Sequence, residues 1–134
     1  WVSQGKKKRK YSIKRLFKSF KYAFCGIFKA YKTEQNLLIH TFAMILVLGL
    51  SWYLKISYIE WLVCLLLIGL VIMAEFINTA IEYVVDLASP KVHPLAKAAK
   101  DTASAGVLMM AIISATIGLV IFIPKLIVFI GELL

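Results

Sequence analysis

The chain has 134 residues, 61% of them hydrophobic and 17% charged, with 16 Lys+Arg against 7 Asp+Glu and a formal net charge of +9. Ordinary globular chains hold roughly 45–50% apolar and about 25% charged residues, and one domain of this length lacks the interior to hide so much Leu, Ile, Val and Phe. This disfavours a soluble enzyme, a disordered basic tail and a disulfide-knotted secreted domain, and points to a membrane protein, whose apolar faces are solvated by lipid.

The basic charge is concentrated at the start. Eleven of the Lys and Arg residues fall within the first 32 positions, with no acid among them. Residues 1–12 form a basic leader, and the chain opens on Trp1 rather than Met, which leaves room for native residues ahead of it. No small-residue cleavage site follows a short apolar core, so this is not a secretory signal. Because the run leads straight into apolar helices, anionic lipid headgroups are its expected partner, and nucleic acid is not.

Over residues 13–32 the run acquires a helical pattern. Ile13, Leu16, Phe17, Phe20, Phe24, Ile27, Phe28 and Tyr31 recur at spacings of three and four, opposite a side rich in Lys14, Arg15, Lys18, Lys21, Lys29 and Lys32. Such a helix lies in the membrane interface rather than across it. Cys25 and Cys64 are too few for a disulfide framework, and both are expected to be buried thiols.

Three apolar segments follow, at residues 37–54, 58–87 and 102–123, and each can span a bilayer. The third is expected to stop at Pro124-Lys125, and residues 126–134 either extend that helix or lie at the surface. With three spans, fourteen Lys and Arg lie on the side of residues 1–36 and the 88–101 loop, against Lys55 and Lys125 on the other. The basic side is cytoplasmic by the positive-inside rule, and Trp52, Tyr53, Tyr58 and Trp61 form an aromatic belt at the opposite interface.

The second span carries acids that an anchor would lack. Glu75 and Glu82 lie about 20° apart around a helix and about 10.5 Å apart along it. Asn78 falls between them and Asp86 continues the stripe. Acids at such depth usually line a functional cavity. Glu34 precedes the first span, and Lys97, Lys100, Asp101 and Ser104 open the third at the same membrane level. Carboxylates and lysines at a cytoplasmic edge suit Mg²⁺, which takes one or two carboxylates and completes its shell with water and phosphate oxygens. A plainer reading pairs Glu82 or Asp86 with Lys100 or Lys97 across two helices; for Asp86 the two readings stand equal. His40 and His93 lack a third ligand at metal spacing and read as polar contacts. No GxxxxGK[ST] or GxGxxG occurs, so a P-loop or Rossmann site is not expected.

The run Glu75-Phe-Ile-Asn78-Thr79-Ala80-Ile81-Glu82-Tyr-Val-Val-Asp86, followed by Lys100-Asp101-Thr102-Ala103-Ser104-Ala105-Gly106-Val107, resembles the signature of the small bacterial integral-membrane diacylglycerol kinases. The form ExxNxAIExxxD…KDxxSAxV is long and specific, and the likeness covers nearly the whole chain. Residues 84–89 and the basic leader are more similar to the Gram-positive branch, whose members phosphorylate undecaprenol. Thr102 departs from the family, which often has Met there.

The resemblance implies an all-α membrane protein, a homotrimer of three-span protomers with active sites shared between neighbouring chains, in the bacterial cell membrane. It implies ATP-dependent phosphorylation of a lipid alcohol, with undecaprenol expected and diacylglycerol the alternative. Carried over by position, Glu75 matches the general base and Glu34 and Glu82 match the Mg²⁺ carboxylates. Asn78, Lys100 and Asp101 match residues around the phosphates; Arg15, Tyr22 and His93 match nucleotide contacts; Ser104 lies closer to the lipid. The depths agree: a lipid hydroxyl arrives from the membrane and MgATP from the cytoplasm, so the base belongs deeper than the metal carboxylates. A proton-coupled exporter is the rival from another class, but it leaves Lys100-Asp101 without a role.

Overall fold

A computed structural model describes residues 11–134, so the basic run at positions 6–10 lies outside the described residues. Four helices follow in order: α1 Ile13–Thr33, α2 Gln35–Tyr53, α3 Tyr58–Ala88 and α4 Pro94–Leu133. The chain divides into two compact units, one ending at Thr33 and the other Glu34–Leu134.

The first unit is α1. Its start is marked by the Ser12 hydroxyl, which accepts from the Arg15 N–H at 3.2 Å. Cys25 is exposed rather than buried. Phe24 and Phe28 on the aromatic side are exposed as well, so this helix by itself encloses no core that could bury a thiol.

In the second unit, α2, α3 and α4 are each long and apolar enough to cross a membrane. α3 packs along both α2 and α4. The turn between α2 and α3 closes on backbone bonds from Ile56 N to Ser51 O and from Lys55 N to Trp52 O, with Lys55 left-handed at φ 50°. This is the Schellman pattern, which satisfies the last carbonyls of a helix and normally uses Gly at the left-handed position. α3 then opens with a capping box. Ser57 N donates to Glu60 Oε2 at 2.8 Å, and Glu60 N donates to Ser57 Oγ at 3.2 Å. Glu60 Oε2 also lies 3.0 Å from Lys125 Nζ, tying the start of α3 to α4. A small core of Ile56, Cys64 and Phe122 sits at this end, with Trp61 and Leu50 packed on it. Tyr53 meets Phe129 edge to face at 5.4 Å between ring centres.

α4 carries Lys97, Lys100, Asp101 and Ser104 in its opening turns and is extended by residues 126–133, one of the two readings above, while the stop expected at Pro124-Lys125 does not occur. The uncharged stretch 102–123 is the middle of a helix of 40 residues. It begins at Pro94, with His93 Nδ1 accepting from Leu95 N at 3.1 Å as the cap. Pro at the first helical position lacks only an N–H that would have no intrahelical partner. Pro124 lies inside the helix rather than ending it. An internal Pro frees one carbonyl, a loss that membrane helices tolerate when neighbours support them; here Phe122 packs before it, and Lys125 and Phe129 make contacts after it.

Between α2, α3 and α4 lies a cavity of about 600 Å³, almost wholly apolar, reaching from His40 to Leu126. Ala111, Ser114, Ala115 and Gly118, small residues suited to close helix contact, line this cavity.

Candidate active site

The antiparallel run of α2, α3 and α4 brings the start of α2, the end of α3 and the start of α4 to one end of the unit. Glu75 stands about 20 Å from the end of α3 at 1.5 Å per residue. It is 2% exposed, and Asn78 and Thr79 beside it are 7% and 4% exposed. An acid so enclosed must be held by polar neighbours, since burial of an unpaired charge is costly.

One polar neighbour answers for Glu75, and two acids of its own sign oppose it. His40 on α2 places Nε2 at 3.0 Å from Glu75 Oε1. The contact is short but bent, and Oε1 makes no regular hydrogen bond. Glu34 and Glu82 are both near enough to act on the charge of Glu75. Glu34 occupies the N-cap position of α2, with extended backbone angles and no side-chain cap bond. Glu82, one helical repeat after Glu75, accepts from Asn78 Nδ2 at 3.1 Å. That bond turns Asn78 Oδ1 inward, where it is buried without a hydrogen-bond partner.

Towards the end of α3 the charges change sign. Lys100 on α4 forms an ion pair with Asp86 on α3 and also feels the charge of Glu82. The plainer reading of Asp86, a lysine partner across two helices, is therefore realised in geometry. Lys100 links this pair to the carboxylates; Asp101 is instead paired along α4 with Lys97. Ser104 is exposed on α4, and the His93 ring is occupied in capping that helix. Arg15 and Tyr22 are exposed on α1, in the other unit. The structure thus gathers Glu34, Glu75, Asn78, Glu82 and Lys100, while Asp101 and His93 have local partners of their own.

His40 is the residue that sequence reasoning undervalued. It reads as a polar contact in sequence, and it is one, but its partner is Glu75, the deepest acid of the stripe. The signal was the position itself, an ionisable side chain interrupting an otherwise apolar span.

The donor set fits a hard divalent cation. Among the described residues no three His, Cys, Asp or Glu cluster as a self-sufficient metal cage. Mg²⁺ needs none, because it is commonly held by one or two carboxylates plus substrate phosphates. Glu34 and Glu82 are carboxylates of the kind such an ion would take, both near Glu75, and Asn78, which binds Glu82, carries a buried oxygen without a partner.

Residues 21–122 match the family described as prokaryotic diacylglycerol kinase. The chain belongs to this family. Prokaryotic diacylglycerol kinases are lipid kinases, and with its three apolar helices this one is an integral membrane protein. It is 48% identical over 114 residues to the undecaprenol kinase of Bacillus subtilis, a match covering 85% of this chain and 93% of that one. It is 39% identical over 112 residues to a diacylglycerol kinase of Synechocystis, covering 83% of this chain and 64% of that one. The diacylglycerol kinase of Escherichia coli K12 is 32% identical over 100 residues, 75% of this chain and 82% of its own. Nothing in these matches favours an exporter.

Proposed function

We propose that this kinase phosphorylates undecaprenol with MgATP at the cytoplasmic face of the bacterial cell membrane. The observation that carries the lipid assignment is the 48% identity to an undecaprenol kinase along 93% of that enzyme, against 39% and 32% to the two diacylglycerol kinases. Anionic lipid is the partner of the basic sequence at the start of the chain, and the fourteen Lys and Arg counted above put that side in the cytoplasm.

The geometry supports a division of labour. Glu75 is the general base: it is the most buried acid, and a lipid hydroxyl arrives from the membrane side. The lipid oxygen bonds to the γ-phosphorus, the bond from that phosphorus to the bridging oxygen of ADP breaks, and the hydroxyl proton passes to Glu75. Glu34 and Glu82 are the carboxylates that would hold Mg²⁺, whose chemistry is to neutralise charge on the transferring phosphoryl group. Asn78 fixes Glu82 through its amide. Lys100 adds positive charge near the phosphates, and Asp101 and His93 lie at the same edge. Arg15 and Tyr22 contact the nucleotide from α1, and Ser104 faces the lipid. The protein works as a homotrimer.

A parallel assay with labelled ATP and either undecaprenol or diacylglycerol in mixed micelles tests the lipid. Undecaprenyl phosphate should form with the higher kcat/KM. Faster labelling of diacylglycerol overturns the lipid assignment, and labelling of neither overturns the lipid-alcohol reading.

A further inference from the structure

Glu75 needs a donor that the roles above do not provide. Both carboxylates that act on it, Glu34 and Glu82, are acids of its own sign. Its Oε1 is buried, and the polar atom facing it at 3.0 Å is His40 Nε2. His40 sits on α2, whose N-cap is Glu34, about 9 Å away along the helix axis at 1.5 Å per residue. One helix therefore carries a metal-side carboxylate at its mouth and a contact to the base below it. The imidazole also stands at the rim of the apolar cavity, and its side chain keeps 25% of its exposure while that of Glu75 keeps 3%.

We propose that His40 is a positioning residue for phosphoryl transfer, holding Glu75 Oε1 so that the second carboxylate oxygen faces the lipid hydroxyl. The proposal rests on the reading of Glu75 as the base. During transfer the hydroxyl proton goes to that second oxygen, the lipid oxygen gains its bond to phosphorus, and ADP leaves with the bonding pair. His40 neither gains nor loses a proton. An Nε2–H donates whether the ring is neutral in that tautomer or protonated, so the role does not depend on charge. The bent contact in the free chain suits this role, because catalytic hydrogen bonds tighten when substrate is bound. A carboxylate without this tether turns away from its line of attack, and a misplacement of about 1 Å costs on the order of 10²-fold in rate.

Steady-state kinetics of the solubilised full chain test the proposal, with undecaprenol and diacylglycerol each used as acceptor. Four variants are compared: His40→Leu, His40→Gln, Glu75→Gln and the double variant Glu75→Gln/His40→Leu. His40→Leu, which suits the apolar rim, should lower kcat about 10–100-fold with KM for MgATP unchanged. His40→Gln places an amide donor near the Nε2 position and should return most of the loss. The double variant should be no slower than Glu75→Gln, since His40 acts through Glu75; a merely structural residue would add its own loss. Wild-type kcat in His40→Leu, no rescue by Gln, or additive losses in the double variant overturns the proposal. An inactive Glu75→Gln beside a fully active His40→Leu overturns it and leaves the base reading intact. A fully active Glu75→Gln overturns the base reading and this proposal together. Equal elution volumes of all variants in size-exclusion chromatography show that folding is preserved.

Discussion

Glu75, Glu34 and Glu82 are identical in chemistry at their carboxyls and differ in position. Glu75 is sealed against α2 by His40, while Glu82 is half-buried and bound to Asn78. Removing the proton acceptor while keeping the shape separates chemistry from binding. Glu75→Gln should lower turnover by about 10²–10⁴-fold with MgATP binding retained, as steady-state rates and equilibrium nucleotide binding would show. Glu34→Gln and Glu82→Gln should both raise the Mg²⁺ and ATP concentrations needed for half-maximal rate, because both carboxylates are assigned to one ion. Unchanged Mg²⁺ and ATP dependence in both variants would refute a shared ion. Much of this was readable in sequence, since the period of 3.6 places Glu75, Asn78 and Glu82 on one stripe whatever the tertiary fold. The His40–Glu75 contact was not, because it depends on how α2 lies against α3, and no residue spacing within one helix encodes that.

Helix existence follows from apolar length, but helix ends follow from caps and neighbours. α2 and α3 run close to the expected segments because the turn between them has its own chemistry, the capping box of Ser57 and Glu60. α4 overran its expected limits because an uncharged stretch marks lipid contact and not helical backbone. Lys97 and Lys100 are good helix formers despite their charge, and Pro124 is supported on both sides by packing and by the Lys125–Glu60 contact at 3.0 Å. The turn itself offers a test. Lys55 holds a left-handed backbone at φ 50°, a conformation that costs an ordinary L-residue about 1–2 kcal/mol and glycine almost nothing. Glycine gives back part of this gain through the larger entropy of its unfolded chain. Lys55→Gly should therefore stabilise the protein by up to about 1 kcal/mol, read as a higher melting temperature in detergent with activity unchanged. A lower melting temperature would mean that the Lys55 side chain contributes more at the membrane edge than its backbone strain costs.

At the scale of the whole molecule, the single chain already encloses its deepest polar groups. Glu75, Asn78 and Thr79 are buried within one protomer, so covering this deepest part of the stripe does not of itself require neighbours. What the protomer leaves open is different: large apolar side chains such as Phe42, Leu66 and Ile77 are exposed, as a bilayer permits. α1 forms a compact unit separate from the unit holding the carboxylates. Glu34 and Glu82 act on Glu75 in the same chain, whereas Arg15 and Tyr22 reside on α1. In the homotrimer proposed above, with shared sites as the resemblance implies, the nucleotide contacts Arg15 and Tyr22 are the residues that a neighbouring chain would supply. Two mixing experiments separate the cases. Glu75→Gln mixed with Glu34→Gln should stay inactive after denaturation and joint refolding, because both carboxylates must come from one chain. Glu75→Gln mixed with Arg15→Ala should regain activity, because a chain with an intact Glu75 can borrow an intact Arg15 from its neighbour. In a cyclic trimer assembled at random from equal amounts, about a quarter of the sites receive both intact residues. Recovery near that fraction supports exchange of α1 between protomers; no recovery, with both variants eluting as trimers, places each nucleotide site within one chain.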